Sequence, residues 1–118
     1  MIEAISDDGM AELADLFRLL GDVSRLKIVR VCLEQPESVS AIGERLGLSA
    51  SLVIHHLRLL KAARVVRSER RGKQVFYGAA DDHIRRVISD MVEHVGEAGG
   101  DDDDDVGKRP KPRRRSTR

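Results

Sequence analysis

The chain has few aromatic residues, a single cysteine and no long apolar segment. Two Phe, one Tyr and no Trp are its only aromatic residues among 118 positions, although 41% of the residues are hydrophobic, enough for a modest core. The single cysteine, Cys32, excludes an internal disulfide and fits a reducing cytoplasm. Apolar residues surround it from Ile28 to Leu33, which predicts a buried, structural thiol.

Segments that would direct the chain into a membrane or out of the cell are also lacking. No run of about 18 apolar residues is present, so we expect no membrane span. Residues 1–10 contain no basic segment followed by an apolar one, which predicts no secretion signal. Together with the lone cysteine, these absences predict a cytoplasmic protein. A length of 118 residues corresponds to one domain.

The net charge is only +1, but the charges are unevenly distributed. Between Arg58 and Lys73 seven residues are basic and one, Glu69, is acidic. A concentrated basic strip is typical of a surface that faces nucleic-acid phosphates. Residues 101–118 carry five Asp followed by seven Lys or Arg, without apolar periodicity. We therefore predict a domain over residues 1–98 and a disordered acidic and basic tail over residues 99–118.

The first half of the chain has the pattern of a helix-turn-helix. Helices are predicted over residues 7–20 and 23–34. A short helix capped by Ser38 and ending at Gly47 is followed by a longer helix, capped by Ser49, that extends to about residue 63. This order is the sequence form of a helix-turn-helix, although two short helices joined by a Gly turn also occur in proteins that do not bind DNA.

The longer helix divides into an inward and an outward face. The inward face or its border holds Leu52, Val53, His56, Leu57 and Leu60, whereas the outward face begins with small polar residues, includes Ile54 and continues with cations. That order suits a recognition helix in the major groove of DNA. We predict DNA contacts from Ser49, Ser51, Ile54, His55, Arg58 and Lys61.

Two short runs with β-branched or aromatic residues follow, at residues 64–70 and 74–79. The turn between them, residues 71–73, predicts a β-hairpin. Cations at a hairpin tip are usually only solvated, but these follow directly after a helix-turn-helix, which is the arrangement of a winged helix. Such a wing would lie along the DNA backbone or in the minor groove. Its predicted contacts are Arg67, Arg70, Arg71 and Lys73.

A last amphipathic helix is predicted over residues 81–97. It carries two of the four histidines in two pairs, Asp81 with His83 and His94 with Glu97. The two histidines are about 16 Å apart along a helix axis, too far to share one metal ion, but they return to nearly the same face. An antiparallel second copy of the helix would bring one pair against the other and form two metal sites related by a two-fold axis. The alternative is that both histidines are solvated residues beside an apolar stripe.

Residues 10–97 resemble the ArsR/SmtB family of metal-sensing winged-helix repressors. The resemblance is carried by LFRLLGDVSRLKIV, by GLSASLVIHHLRLLKAARVVRSERRGKQVFY, and by the D-x-H and H-x-x-E motifs of the last helix. It implies a mainly α fold with a β-hairpin wing, a winged helix-turn-helix that is homodimeric through its first and last helices. The family's zinc-type site on the C-terminal helix is matched at all four positions, Asp81, His83, His94 and Glu97.

The chain departs from the family pattern at two places. The family's other common metal site has Cys-x-Cys-Asp or a similar motif on the short third helix, where this chain has Ser38, Ser40 and Ala41, so that soft-metal site is absent. Ile54 stands where family members often carry Ser, and it would contact a thymine methyl group instead of forming a hydrogen bond. Two imidazoles and two carboxylates suit tetrahedral Zn²⁺, with Co²⁺ as a substitute. Nickel is less expected as the metal, because it prefers more ligands in an octahedral set.

The resemblance implies a transcriptional repressor whose partners are double-stranded operator DNA and a second copy of the chain, with no small-molecule substrate and no membrane. Zinc between the C-terminal helices would weaken operator binding and derepress genes for metal efflux or resistance. The signal is expected to run from the ring of His94 to the backbone at Arg64, because a ligating imidazole donates its other N–H to a carbonyl or carboxylate. A regulator of the same fold that does not sense metal is the alternative. A zinc hydrolase is not expected, since four protein ligands leave no open coordination position.

Overall fold

The structure, a computed structural model, describes the backbone of residues 4–101 and the side chains of residues 4–96. The described residues divide into two compact units, one ending at Arg85 and the other beginning at Arg86. The fold is a winged helix-turn-helix, as predicted. Its elements in order are α1 (Asp7–Leu20), α2 (Val23–Glu34), β1 (Glu37–Ser38), α3 (Val39–Leu46), α4 (Ala50–Ala62), β2 (Val66–Arg71), β3 (Gln74–Ala79) and α5 (Asp82–Asp101).

The first four helices begin at side-chain caps. The hydroxyls of Ser6, Ser38 and Ser49 and the carboxylate of Asp22 each accept the backbone N–H three residues later, at 3.0–3.2 Å. Each bond satisfies one of the N–H groups that a helix start leaves without a partner. The predicted bounds of these helices are confirmed to within one residue.

The turn of the helix-turn-helix lies very close to helix α3. Gly47 ends α3 in the left-handed region, with φ +70°, and the N–H of Leu48 donates to the carbonyl of Gly43 at 3.0 Å. A Cβ atom at Gly43 would lie 2.8 Å from the carbonyl oxygen of Leu48. Glycine is therefore required at position 43 for the approach of the backbone rather than for its φ.

We expect Gly43→Ala to lower the free energy of unfolding by about 1–3 kcal/mol, because the added methyl forces the turn away from the helix. Urea unfolding followed by circular dichroism measures the change. Gly96→Ala is the matched control, since Gly96 is also helical and a Cβ there meets no atom within 4 Å. The control should raise the free energy of unfolding by about 0.5–1 kcal/mol. An increase in the free energy of unfolding for Gly43→Ala would contradict the close approach of Leu48 to Gly43.

The wing is a β-hairpin in a three-stranded antiparallel sheet of order β1-β3-β2. The hairpin is confirmed, and so are the predicted bounds of its second strand, residues 74–79. The first strand was predicted at residues 64–70 and the turn at residues 71–73, whereas β2 begins two residues later and ends one residue later than predicted. Arg71 pairs with Gln74 as the last residue of β2, so the turn is only Gly72 and Lys73. Gly72 has φ +65°, which fits the first central position of a type II′ turn.

Arg64 lies in the turn that terminates helix α4 instead of beginning a strand as predicted. Its φ of 62° lies in the left-handed region. The N–H of Arg64 donates to the carbonyl of Lys61 at 3.0 Å, and the N–H of Val65 donates to that of Leu60 at 2.9 Å. These two bonds form a Schellman motif, which most often has glycine at the left-handed position. The sequence signal was missed because this position holds arginine.

Strand β1 was not predicted. Its two residues, Glu37 and Ser38, pair with Tyr77 and Phe76 of β3. Two residues are too few to show an alternating pattern, so nothing in the sequence identified them as a strand. Ser38 is both the last residue of β1 and the cap of α3.

The core of the first unit consists of aliphatic side chains and Cys32. Its buried side chains come from α2, α3, α4, the sheet and the residue before β2: Ile28, Val29, Val31, Cys32, Leu33, Ile42, Val53, Leu57, Leu60, Val65, Val66 and Ala79. Burial raises the pKa of the Cys32 thiol to about 12, so this cysteine stays protonated and unreactive. The prediction of a structural thiol is confirmed.

Helix α5 begins one residue later than predicted, because Asp81 caps it from outside. The Oδ1 atom of Asp81 accepts the N–H of Ile84 at 2.9 Å. The helix extends to Asp101, beyond its predicted end at residue 97 and beyond the predicted tail boundary at residue 99. Residues 102–118 lie outside the described part of the chain, so the disordered tail stays a prediction.

Candidate functional site

Helix α4 has the two faces that the sequence predicted. Val53, His56, Leu57 and Leu60 are buried, while Leu52, expected inward or at the border, is 39% exposed. The predicted DNA-contacting residues of this helix and its cap are all exposed: Ser49, Ser51, Ile54, His55, Arg58 and Lys61. The helix therefore offers a mixed polar, apolar and cationic surface of the kind that reads base edges.

The two faces of the wing differ in character. Val66 and Ala79 are paired and buried, and Tyr77 lies on the same face of the sheet two residues from Ala79. Phe76 lies on the opposite face, where the guanidinium of Arg71 stands 4.8 Å from its ring centroid. Phe76 and Tyr77, which are consecutive in β3, thus face opposite sides of the wing, and Tyr77 is on the side of the buried Val66 and Ala79.

The four predicted wing cations are exposed but are not equivalent. Arg71 donates from Nε to Glu69 at 3.1 Å, so part of its charge is balanced within the wing. Arg70 donates to the carbonyl of Gly72 at 3.3 Å, which holds it at the tip. Arg67 lines a groove at the other end of β2. Lys73 stands in the turn itself.

That groove has a volume of about 1190 Å³ and belongs to the first unit. It is lined by α1, the end of α4, the start of β2 and the residues that lead into α5. Asp81 and His83 of the predicted metal site lie in its wall, and so does Lys61 of the predicted DNA face. Apolar side chains of α1 are exposed on the surface of the same unit, Met10 by 50% and Phe17 by 64%. The unit thus has an apolar surface that a single chain leaves uncovered.

The structure places the predicted metal ligands in two separate pairs. The Oδ1 atom of Asp81 caps α5. Its Oδ2 atom and the exposed ring of His83 remain as two groups at the helix start that could ligate a metal ion. His94 is exposed on α5, and the side chain of Glu97 lies outside the described residues. Within the described part of the chain, no three His, Cys, Asp or Glu residues are grouped to hold a metal ion. The first pair fits half of a tetrahedral donor set.

One polar cluster was missed at the sequence level. The Nε atom of Arg25 donates to Nδ1 of His56 at 3.1 Å, and its Nη1 atom donates to the carbonyl of Leu19 at 2.8 Å. His56 is 6% exposed, and its burial, followed by the charge of Arg25, lowers the pKa of the imidazole. The pKa of the Asp22 carboxyl is lowered chiefly by the backbone hydrogen bond from Arg25. Because Arg25 and His56 are 31 positions apart in the sequence, no local sequence pattern connects them.

None of the helices described within residues 4–101 combines the length and the apolar character that a membrane span requires.

Comparison with known proteins agrees with this architecture. Residues 22–68 match the family model described as bacterial regulatory protein, arsR family. The chain is 31% identical over 97 residues to the HTH-type transcriptional regulator KmtR of Mycobacterium tuberculosis, which covers 82% of this chain and 75% of that protein. It is 31% identical over 96 residues to the transcriptional repressor SmtB homolog of a Synechocystis species, covering 81% and 73%.

Among solved structures, the fold is similar to a homodimeric winged helix-turn-helix DNA-binding domain from Mycobacterium bovis, a possible ArsR-family regulator. The TM-score is 0.69 at 23% sequence identity, and the match covers 82% of this chain and 92% of that one. At this identity the likeness shows the fold.

Proposed function

Since the chain belongs to the ArsR family of bacterial regulatory proteins, which are transcriptional regulators and not enzymes, we propose that it is a metal-responsive repressor. A homodimer would bind operator DNA with α4 in the major groove and the wing beside it. Zinc, or cobalt in its place, would weaken that binding and derepress genes for metal efflux or resistance.

The observation that carries the DNA-binding part is the exposed outward face of α4, followed directly by the cationic hairpin. His55 and Arg58 present hydrogen-bond donors, and Ile54, 38% exposed, presents a methyl surface that matches thymine. The close approach of the turn to Gly43 and the left-handed Gly47 set where this helix begins relative to α3. Helix α4 and the hairpin both belong to the first unit.

The uncovered apolar surface of α1 supports the homodimer. A single chain leaves Met10 and Phe17 largely in water, and exposed apolar patches of this kind mark protein interfaces. On α5, Val87, Met91 and Val95 recur at intervals of four residues and are each more than half exposed, which gives that helix an apolar stripe as well. A second copy would cover these surfaces.

The metal part of the proposal rests on the donor set. Asp81 and His83 of one copy, with His94 and Glu97 of the other, would hold the ion and complete a tetrahedral N₂O₂ set. The bound ion supplies a link between the C-terminal helices of the two copies. DNA affinity then falls because the linked dimer favours a conformation that binds DNA less well, with a coupling of about 1–3 kcal/mol in typical cases. The route from His94 to the backbone at Arg64 stays a prediction.

The proposal is tested by fluorescence anisotropy of a labelled duplex from the region upstream of the protein's own gene, titrated with protein in the presence and absence of zinc. We expect tight binding without metal and a loss of about 5–150-fold in affinity with zinc. Binding that does not respond to zinc, in a protein that takes up no stoichiometric zinc, would favour a regulator of the same fold that senses another signal. No preference for the upstream DNA would overturn the repressor itself.

Lys73→Ala in the wing turn should weaken binding to every duplex by a similar factor. It should also reduce the slope of log K against log salt concentration by about 1, since one phosphate contact is lost. Lys27→Ala, which removes the same charge from an exposed position on α2, is the control and should leave the slope unchanged. Equal slopes in the two variants would place the wing turn away from the DNA.

A further inference from the structure

The side chain of Arg25 joins three helices. It belongs to the first turn of α2, it donates to the carbonyl of Leu19 in the last turn of α1, and it donates to the ring of His56 in the middle of α4. The distances are 2.8 Å to the carbonyl oxygen and 3.1 Å to Nδ1. Two donors of one planar guanidinium are thus used on two different helices.

Local helix chemistry does not explain an arginine at this position. A positive charge in the first turn of a helix faces the positive end of the helix dipole and is disfavoured there. The carboxylate of Asp22, which caps α2 by accepting the N–H of Arg25 at 3.0 Å, compensates this cost locally. The favourable partners of the guanidinium are on the other two helices, where it satisfies a carbonyl at the end of α1.

The bond to His56 has a direction that the apolar contacts of α4 lack. Val53, Leu57 and Leu60 hold the inner face of α4 by burial, and hydrophobic attraction is non-directional. A hydrogen bond weakens steeply as its angle departs from linearity. Since His56 follows His55 directly, a rotation of α4 about its axis moves the buried ring and the outward side chains together.

We propose that Arg25 is a positioning residue that fixes the rotation of α4 through His56, so that the outward side chains meet the base edges in one register. The proposal rests on the proposed function, because it concerns how α4 reads DNA. It also ties that register to α1 through the carbonyl of Leu19. Without the guanidinium, Nδ1 of His56 is left buried without a donor, and the helix can settle in several orientations.

The test compares Arg25→Met with Arg30→Met, which makes the same substitution at an exposed position of the same helix. Affinity is measured for the upstream duplex and for a shuffled duplex of the same composition, at a temperature where both variants are fully folded. Arg25→Met should lose about tenfold in affinity for the upstream duplex, equivalent to roughly 1.4 kcal/mol, beyond the change in Arg30→Met. Affinity for the shuffled duplex should change equally in both, since phosphate attraction does not depend on the rotation of α4.

An Arg25→Met protein that prefers the upstream duplex as strongly as Arg30→Met overturns the positioning role and leaves the proposed function intact. A wild-type protein that does not distinguish the two duplexes overturns the proposed function instead. Arg25→Lys keeps the charge but cannot reach both acceptors, so we expect a smaller loss of preference than in Arg25→Met. Full preference in Arg25→Lys would show that charge alone suffices and would overturn the two-point geometry.

A second measurement uses the wild-type protein, so its result does not depend on whether a variant folds. The ¹⁵N shifts of the imidazole nitrogens of His56 in the full-length wild-type protein report which nitrogen carries the proton. The structure requires Nδ1 to be the acceptor, so at neutral pH the proton must be on Nε2. A proton on Nδ1 would exclude the bond from Arg25 and with it the proposal.

Discussion

Replacing both His83 and His94 with alanine should abolish the decrease in DNA affinity that zinc causes in the wild-type protein. Each half of the proposed site loses its imidazole, and the remaining carboxylates form a much weaker zinc site. The wild type should lose about 5–150-fold in affinity when zinc is added, and the double variant should lose none. Anisotropy titrations on the upstream duplex, with zinc and with a chelator, measure both values.

The matched control is His55→Ala, which removes an imidazole from the outward face of α4. It should weaken DNA binding with and without zinc and keep the ratio between the two. A double variant that still releases DNA on addition of zinc would show that the sensing site lies elsewhere. That result would leave the winged helix and its DNA surface in place.

Asp81 has two roles that one substitution does not separate. Its Oδ1 caps α5, so Asp81→Ala removes a helix cap that typically contributes about 0.5–2 kcal/mol in addition to a metal ligand. Asp81→Asn keeps an oxygen for the cap but loses the negative charge that favours zinc. A zinc affinity that falls equally in both variants, with stability lost only in Asp81→Ala, is expected from the ligand role. Zinc affinity unchanged in Asp81→Asn would remove Asp81 from the site.

Leu57→Ala should lower the free energy of unfolding by about 2–5 kcal/mol, the cost of a cavity at a fully buried leucine. Leu57 is 1% exposed in the core of the first unit, and few large aromatic side chains are present to collapse into the space. For a chain of this size the expected loss is a large part of the total stability. Urea unfolding followed by circular dichroism, at a fixed protein concentration because of the proposed dimer, measures it.

Leu59 provides the control for this effect on the same helix. It is 37% exposed, so Leu59→Ala leaves no closed cavity and should change stability by less than about 1 kcal/mol. If the two substitutions had the same cost, α4 would be rotated from the orientation described here, and the assignment of its DNA face would be wrong as well.

The sequence predicted the features that depend on residues close together in the chain. Caps such as Ser38 and Asp22 act three residues away, and the apolar repeat of each helix is visible within a few turns, so the helix bounds and the outward face of α4 followed directly. Arg64 was assigned to a strand because the two residues after it are β-branched and suit a strand. In the structure Arg64 is itself the left-handed residue after α4, at a position that is usually glycine.

Features that depend on distant residues were not predictable in this way. Strand β1 exists only because Glu37 and Ser38 meet β3 about 40 positions later, and the bond between Arg25 and His56 spans a similar separation. The proposed metal site depends on distant residues to an even greater degree. The sequence supplied the ligand types and their spacing, but bringing the two pairs together requires contacts that one chain does not contain.

Ser38 has a consequence for how the protein fits its target. Because this one residue pairs with Phe76 of the wing and caps α3, it connects the hairpin directly to the helix-turn-helix and restricts the movement of one relative to the other. In the proposed complex the protein would not adapt to variations in groove width, so the duplex would have to adopt the width that the protein presents. Operators would then be selected partly by how easily they bend and narrow at base pairs that no side chain touches.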